Sequence, residues 1–189
     1  MNGQLIYLVG PSGSGKDSIL RELALRLPSQ CLIMKRAITR PLSLDTEEAE
    51  SLSAEEFIAQ EQQGRFALSW RANGLAYGIR ADLNQHLHAG KTVLVNGSRA
   101  YWPEVVQRYP NAILVLVKVP VSLLRQRLMA RGRESLPEIQ LRLERSLAME
   151  QTLERHAALQ NTEFWVLDNS GSLAEAVAQF QALLSEIWV

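Results

Sequence analysis

A chain of 189 residues, 47% of them hydrophobic, is long enough to bury one sizeable core and too short to divide readily into two. Its 20 basic and 20 acidic residues cancel, which excludes a global field favouring nucleic acid or an anionic membrane. Any anion site must therefore be local, and 16 of the 20 basic residues are arginine, the side chain suited to bidentate phosphate recognition.

Residues 5–9, LIYLV, form an apolar run stopped by Gly10 and Pro11, the pattern of a strand buried on both faces. The segment GPSGSGKDS follows at 10–18, and Ile19, Leu20, Leu23 and Leu27 then line one face of a helix predicted over 17–27. Further strands are expected at 31–34, 92–95, 112–119 and 163–167; strands alternating with helices predict a mainly parallel sheet of about five strands. Capping boxes at Ser53 with Glu56, Ser135 with Glu138 and Ser172 with Glu175 predict helices near 54–63, 136–158 and 173–187. The stretch 35–78 is polar and broken by Pro41, Gly64, Gly74 and Gly78, and reads as an insertion over the sheet. Arginines crowd 125–145 around Gly132, as in a moving lid. The expected organisation is one domain, with a core of 1–34, 79–124 and 146–189, an insertion of 35–78 and a lid of 125–145.

The lone cysteine, Cys31, sits in an apolar run and reads as a buried thiol in a reducing compartment. No signal-peptide pattern opens the chain, and no apolar run reaches the roughly 20 residues that span a bilayer. A cytoplasmic protein with no membrane or nucleic-acid partner is expected; oligomeric state is open, a homodimer included. The histidines, His86, His88 and His156, make no metal or triad spacing with acidic residues and read as surface or partly buried.

Gly10, Gly15 and Lys16 have Walker A spacing between a buried strand and a helix. The loop of Gly10, Pro11, Ser12, Gly13, Ser14 and Gly15, through the main-chain N–H groups of all but Pro11 and with the start of the helix, is suited to hold ATP phosphates, and Lys16 adds a mobile charge for the transferring group. The residue after the lysine, ordinarily Ser or Thr beside Mg2+, is Asp17, followed by Ser18. Two readings of Asp17 stand open: a ligand of Mg2+, with Ser18, or a carboxylate that only stabilises the helix start. Neither an Asn-Lys-x-Asp nor an Asp-x-x-Gly motif follows, so a switch GTPase is not expected.

Along nearly the whole chain the order of motifs resembles the guanylate kinase family. After the P-loop come Thr39-Arg40, Phe66 to Trp70, Tyr77-Gly78, Gly90-Lys91, Arg127-Leu128, Arg131-Gly132 and Asn169. The resemblance implies a three-layer α/β P-loop kinase fold with an acceptor-binding insertion and an Arg-rich lid. It also implies that Arg40 and Tyr77 hold an acceptor phosphate, that Arg127, Arg131 and Arg142 close on the transferring phosphoryl group, and that Arg133 and Asn169 serve the nucleotide.

Two departures bear on the acceptor. Guanylate kinases place a guanine-reading glutamate where this chain has Ser69, and an aspartate after the central strand where it has Asn96, followed by Gly97-Ser98-Arg99. A neutral hydroxyl leaves guanine's donors poorly paired. With the strings ITR, LSW, ANG, VLVNGSRA, LRQRL and RGRE, the chain resembles the branch of ribose 1,5-bisphosphate phosphokinases. That resemblance implies ATP-dependent phosphorylation of the 1-phosphate of a doubly phosphorylated pentose, in phosphonate breakdown and phosphoribosyl diphosphate supply. Such an acceptor needs cations, and Lys35, Arg36, Arg40, Arg71 and Arg99 lie in or beside its expected pocket. Arg36, Arg40, Ser69, Tyr77, Asp82, Asn96 and Arg99 are the candidate acceptor residues, Asp82 being equally a helix-start charge. Rival readings are a guanylate-type nucleoside monophosphate kinase and a catalytically silent interaction module of the same fold.

Overall fold

A computed structural model of the chain describes residues 3–40, 49–132 and 134–188; Pro41 of the insertion and Arg133 of the lid lie outside them. Strands β1 (Leu5–Val9), β2 (Cys31–Ile33), β7 (Thr92–Asn96), β8 (Ile113–Lys118) and β9 (Phe164–Asp168) form a sheet in the order β2-β7-β1-β8-β9. Every pairing in it is parallel, with Leu8 opposite Asn96 on one side of β1 and Val115 on the other. The run LIYLV is wholly buried because both sheet faces are covered.

Alternate residues serve opposite faces. Ile6, Leu8, Leu94, Val115 and Val117 pack with Ile19 and Leu23 of α1 (Lys16–Ala24) and with Val177 and Phe180 of α7 (Leu173–Ser185). Leu5, Tyr7, Val9, Val93 and Leu114 pack with Leu83 of α3 (Leu83–His88), Trp102 of α4 (Trp102–Arg108) and Leu153 of α6 (Leu136–Leu159). Three layers result, each face supplied by period-two strands and period-3.6 helices.

The stretch expected as a polar insertion holds a second sheet. Strands β3 (Arg36–Ile38), β4 (Ala49–Ser51), β5 (Phe66–Ala72) and β6 (Leu75–Arg80) run in the order β4-β3-β6-β5, beside α2 (Ala54–Gln62). Its strands are short and mix buried with partly buried residues, so no long apolar run betrayed them; Leu68, Trp70 and Ile79 nonetheless join the main core. Gly74 and Asn73, both at positive φ, turn β5 into β6. The Arg-rich stretch is a helical pair, α5 (Val121–Arg131) and α6, with its own core of Val119, Leu124, Leu128, Ile139 and Leu143. Gly132, at φ 60, ends α5 in the left-handed conformation.

The predicted helix over 17–27 stops at Ala24, and α4 was not foreseen, being only seven residues long. Glu56 and Glu175 accept the N–H of Ser53 and Ser172 at 2.7 Å each, and Glu138 does the same for Ser135. His86 and His156 are partly buried and His88 is exposed.

Candidate active site

Everything pointing at phosphate chemistry leaves the carboxyl edge of the five-stranded sheet, where α/β folds place ligands. Residues 10–15 follow β1, Arg36 opens β3 three residues beyond the end of β2, Asn96 ends β7, and Asn169 follows β9. The loop at 10–15 curls because Gly13 and Gly15 sit at φ 93 and 92, where a side chain would be strained. Pro11, Gly13 and Ser14 are buried and Ser12 is exposed at the tip. The Ser14 N–H donates to the Pro11 carbonyl at 3.1 Å.

Lys16 opens α1, and its ammonium donates to the carbonyls of Gly10 at 2.8 Å and Pro11 at 3.0 Å, with Ser14 Oγ at 3.4 Å. Burial brings its pKa down to about 7; the Asp17 carboxylate opposes that fall, and the guanidiniums of Arg36, Arg99 and Arg131 add to it. Three guanidiniums from three other segments thus act on the Lys16 ammonium. An incoming polyphosphate relieves the repulsion among them.

Asp17 does not cap α1: the N-cap position is Gly15, with no side-chain cap. Its Oδ1 instead accepts from Asn96 Nδ2 at 2.6 Å and from Arg36 Nη2 at 3.2 Å. Ser18 stands beside it, half-buried in the first turn. Among the described residues no three His, Cys, Asp or Glu side chains gather as a metal cage. A single carboxylate at the phosphate loop fits Mg2+, which keeps several waters and takes other ligands from phosphate oxygens.

Arg36 extends the site towards the second sheet. Its guanidinium lies 5.8 Å from the Tyr77 ring centroid, burial lowers its pKa, and the neighbouring Arg40 charge acts in the same direction. Tyr77 stacks on Trp70 at 5.6 Å, and Trp70 on Tyr101 at 5.7 Å. This aromatic wall was not anticipated; Trp70 and Tyr77 were visible as motif letters, whereas their pairing across β5 and β6 depends on register. Arg99 is also buried enough to lower its pKa, and its Nη1 donates to the carbonyl and Oγ of Ser146 on α6, both at 3.0 Å.

Asn169, expected beside the nucleotide, and Arg127, expected to close on the transferring phosphoryl group, both clasp the loop itself. Asn169 is 4% exposed, and its Nδ2 donates to the Ser14 carbonyl at 2.6 Å. Arg127 donates to the Asn169 carbonyl at 3.1 Å and to that of Ser14 at 3.4 Å. Three other predicted residues engage partners outside this cluster. Ser69 shares a strand face with Arg71, whose guanidinium bonds Glu61 on α2, and adds to the arginine's effect in holding the Glu61 carboxyl below its ordinary range; Asp82 lies 4.0 Å from His86, one turn on. Arg142 pairs with Glu134 at 2.7 Å.

Tyr7 was missed. Its hydroxyl accepts the Ser98 N–H at 2.9 Å and donates to the Ser98 carbonyl at 3.3 Å, pinning the segment between Asn96 and Arg99. A lone hydroxyl inside the run LIYLV was the available signal, since a buried tyrosine hydroxyl usually has a partner.

The chain is similar to known proteins in sequence and in fold. An AAA domain family matches residues 5–156. "Ribose 1,5-bisphosphate phosphokinase PhnN" of Pseudomonas fluorescens is 46% identical, covering 97% of this chain and 96% of the relative. Proteins of the same name from Enterobacter lignolyticus and Desulfomicrobium baculatum are 44% and 42% identical, each covering 97% of this chain and 93% and 95% of the relative. A crystal structure of guanylate kinase from Anaplasma phagocytophilum superposes with a TM-score of 0.74 at 15% identity, covering 98% of this chain and 86% of that one. No helix among the described residues is long and apolar enough to cross a membrane.

Proposed function

The chain belongs to the ribose 1,5-bisphosphate phosphokinase family and carries an AAA domain, and from that membership we propose that it phosphorylates the 1-phosphate of ribose 1,5-bisphosphate with ATP, giving 5-phosphoribosyl 1-diphosphate and ADP. The convergence of Lys16, Arg36, Arg99 and Arg131 in a chain of zero net charge carries the reading, because donor and acceptor are both rich in phosphate. A doubly phosphorylated sugar has no base to read. Ser69 accordingly serves the second sheet through Glu61 instead of presenting a carboxylate to guanine.

The residues of 10–15 hold the nucleotide phosphates through main-chain N–H groups, and Lys16 leaves the Gly10 and Pro11 carbonyls to meet them. Asp17 and Ser18 hold Mg2+, which when bound neutralises phosphate charge. Arg36, Arg40 and Tyr77 bind the acceptor, with Arg99 and Asn96 beside them. The acceptor phosphate is already ionised near neutral pH, so no general base is needed. Arg131 and Arg142 approach with α5 and α6 and exclude water, Arg142 exchanging Glu134 for phosphate. A cytoplasmic setting accords with the single, buried, unpaired Cys31.

Incubation of purified protein with ATP, Mg2+ and a panel of phosphorylated acceptors, with products identified by mass spectrometry, tests the proposal. ADP and 5-phosphoribosyl 1-diphosphate are expected. Faster ADP formation with GMP than with ribose 1,5-bisphosphate overturns it.

A further inference from the structure

P-loop enzymes commonly hold magnesium with a neutral Ser or Thr hydroxyl after the loop lysine and a charged Asp on a neighbouring strand. Here both places carry the opposite kind of group. The residue after Lys16 is Asp17, and the end of β7, hydrogen-bonded directly alongside β1, carries Asn96. The two side chains touch, with Asn96 Nδ2 2.6 Å from Asp17 Oδ1. Asn96 is 5% exposed, and its Oδ1 is buried without a hydrogen-bond partner among the described residues. An orphaned buried acceptor of this type costs free energy unless something at the site donates to it.

We propose that Asp17 and Asn96 form one magnesium-holding pair in which the carboxylate has changed places with the neutral group. Asp17 is the ligand and Asn96 the positioning residue. Asn96 Nδ2 and Arg36 Nη2 both engage Oδ1, which orients the carboxylate and assigns Oδ2 to the ion. The water shell that Mg2+ retains supplies the donor that Asn96 Oδ1 lacks. The pair keeps a single negative charge, as a Ser–Asp pair would, so the electrostatics of the metal are conserved while the carboxylate moves from strand to loop. The same carboxylate pairs with Arg36 of the second sheet, which ties the metal position to the acceptor side. The inference rests on the kinase reading above.

The experiment is charge exchange, read as nucleotide affinity and not as turnover. The affinity for ADP is measured calorimetrically with Mg2+ and with EDTA, and Mn2+ bound in the presence of ADP is counted by electron paramagnetic resonance. Wild type is expected to gain affinity from the metal. D17N, which keeps size and shape, is expected to lose most of that gain, and N96A to weaken Mn2+ binding by roughly tenfold or more, as loss of an outer-shell partner does. D17S alone lacks a carboxylate and N96D alone places two beside each other; the double variant D17S/N96D restores the single charge and is expected to recover the metal gain that D17S lost.

A double variant no better than D17S, or D17N with the full wild-type metal gain, overturns the exchange while leaving the kinase reading intact. Wild type whose ADP binding ignores Mg2+ overturns both. Thermal melts of each variant accompany the titrations. If the double variant unfolds, the D17N and N96A titrations decide the matter alone.

Discussion

Asn169 occupies the space that a side chain on Gly15 would need: a Cβ built there would lie 2.4 Å from Asn169 Nδ2. The last strand of the sheet thereby grips the phosphate loop, and the left-handed φ of 92 at Gly15 removes any escape by rotation. G15A is expected to abolish nucleotide binding. N169A removes the nearer of the two side-chain donors to the Ser14 carbonyl, leaving Arg127 at 3.4 Å, and is expected to raise the KM for ATP several-fold. In the double variant the clash is gone although the backbone strain stays, so the two changes are expected to be non-additive by about 1 kcal/mol or more in a stability cycle. Strict additivity in urea melts would show that the contact is incidental.

Tyr7 and Ser98 give a second prediction. Y7F leaves the Ser98 N–H without its buried acceptor, at a cost of about 1–3 kcal/mol, and loosens the segment joining Asn96 to Arg99. The KM for the acceptor is expected to rise while that for ATP stays near wild type. Equal increases in both would contradict a role confined to this segment. Tyr7 also blocks substitution at Gly97, where a Cβ would lie 2.0 Å from its ring.

Arg131 is an exposed residue in the last turn of α5 whose charge nevertheless reaches Lys16. R131A is expected to lower kcat by on the order of 10³, the scale of losing an arginine that stabilises a transferring phosphoryl group. R131K should recover only part of the loss, because an ammonium lacks the planar fork. R125A, which affects a hydrogen bond to Gln140 on the lid surface, serves as the comparison. If R131A and R125A turn over alike, Arg131 is a solvated charge.

Burial pushes the Cys31 thiol from its ordinary value of 9.0 up to about 12. The folded state therefore keeps its proton where the unfolded chain releases it. This contribution to stability is fully present below pH 9 and declines as pH rises from there towards 12. Alkylation by iodoacetamide at pH 8 is expected to be slower by roughly three orders of magnitude than in urea-unfolded protein. A fast reaction with the native protein would show that β2 opens readily.

Local patterns were legible wherever one element sufficed to define them. The run LIYLV, the spacing of Gly10, Gly15 and Lys16, and the serine–glutamate capping boxes each depend on residues within about one or two turns of chain, and each appears in the structure where the sequence indicates. The second sheet was not legible, because its strands are only three to seven residues long and gain their apolar support from distant residues, in the main core and in a small cluster of Ala37, Ala76 and Phe57 of α2.

The phosphate loop could be read from contiguous residues, since its glycines, a helix start and a lysine follow one another in the chain. The partners of Asp17 could not. These, Arg36 and Asn96, stand 19 and 79 residues away in the chain. Parallel strand order brings them within hydrogen-bond reach, and no periodicity in the sequence encodes which distant side chains a folded sheet will set side by side.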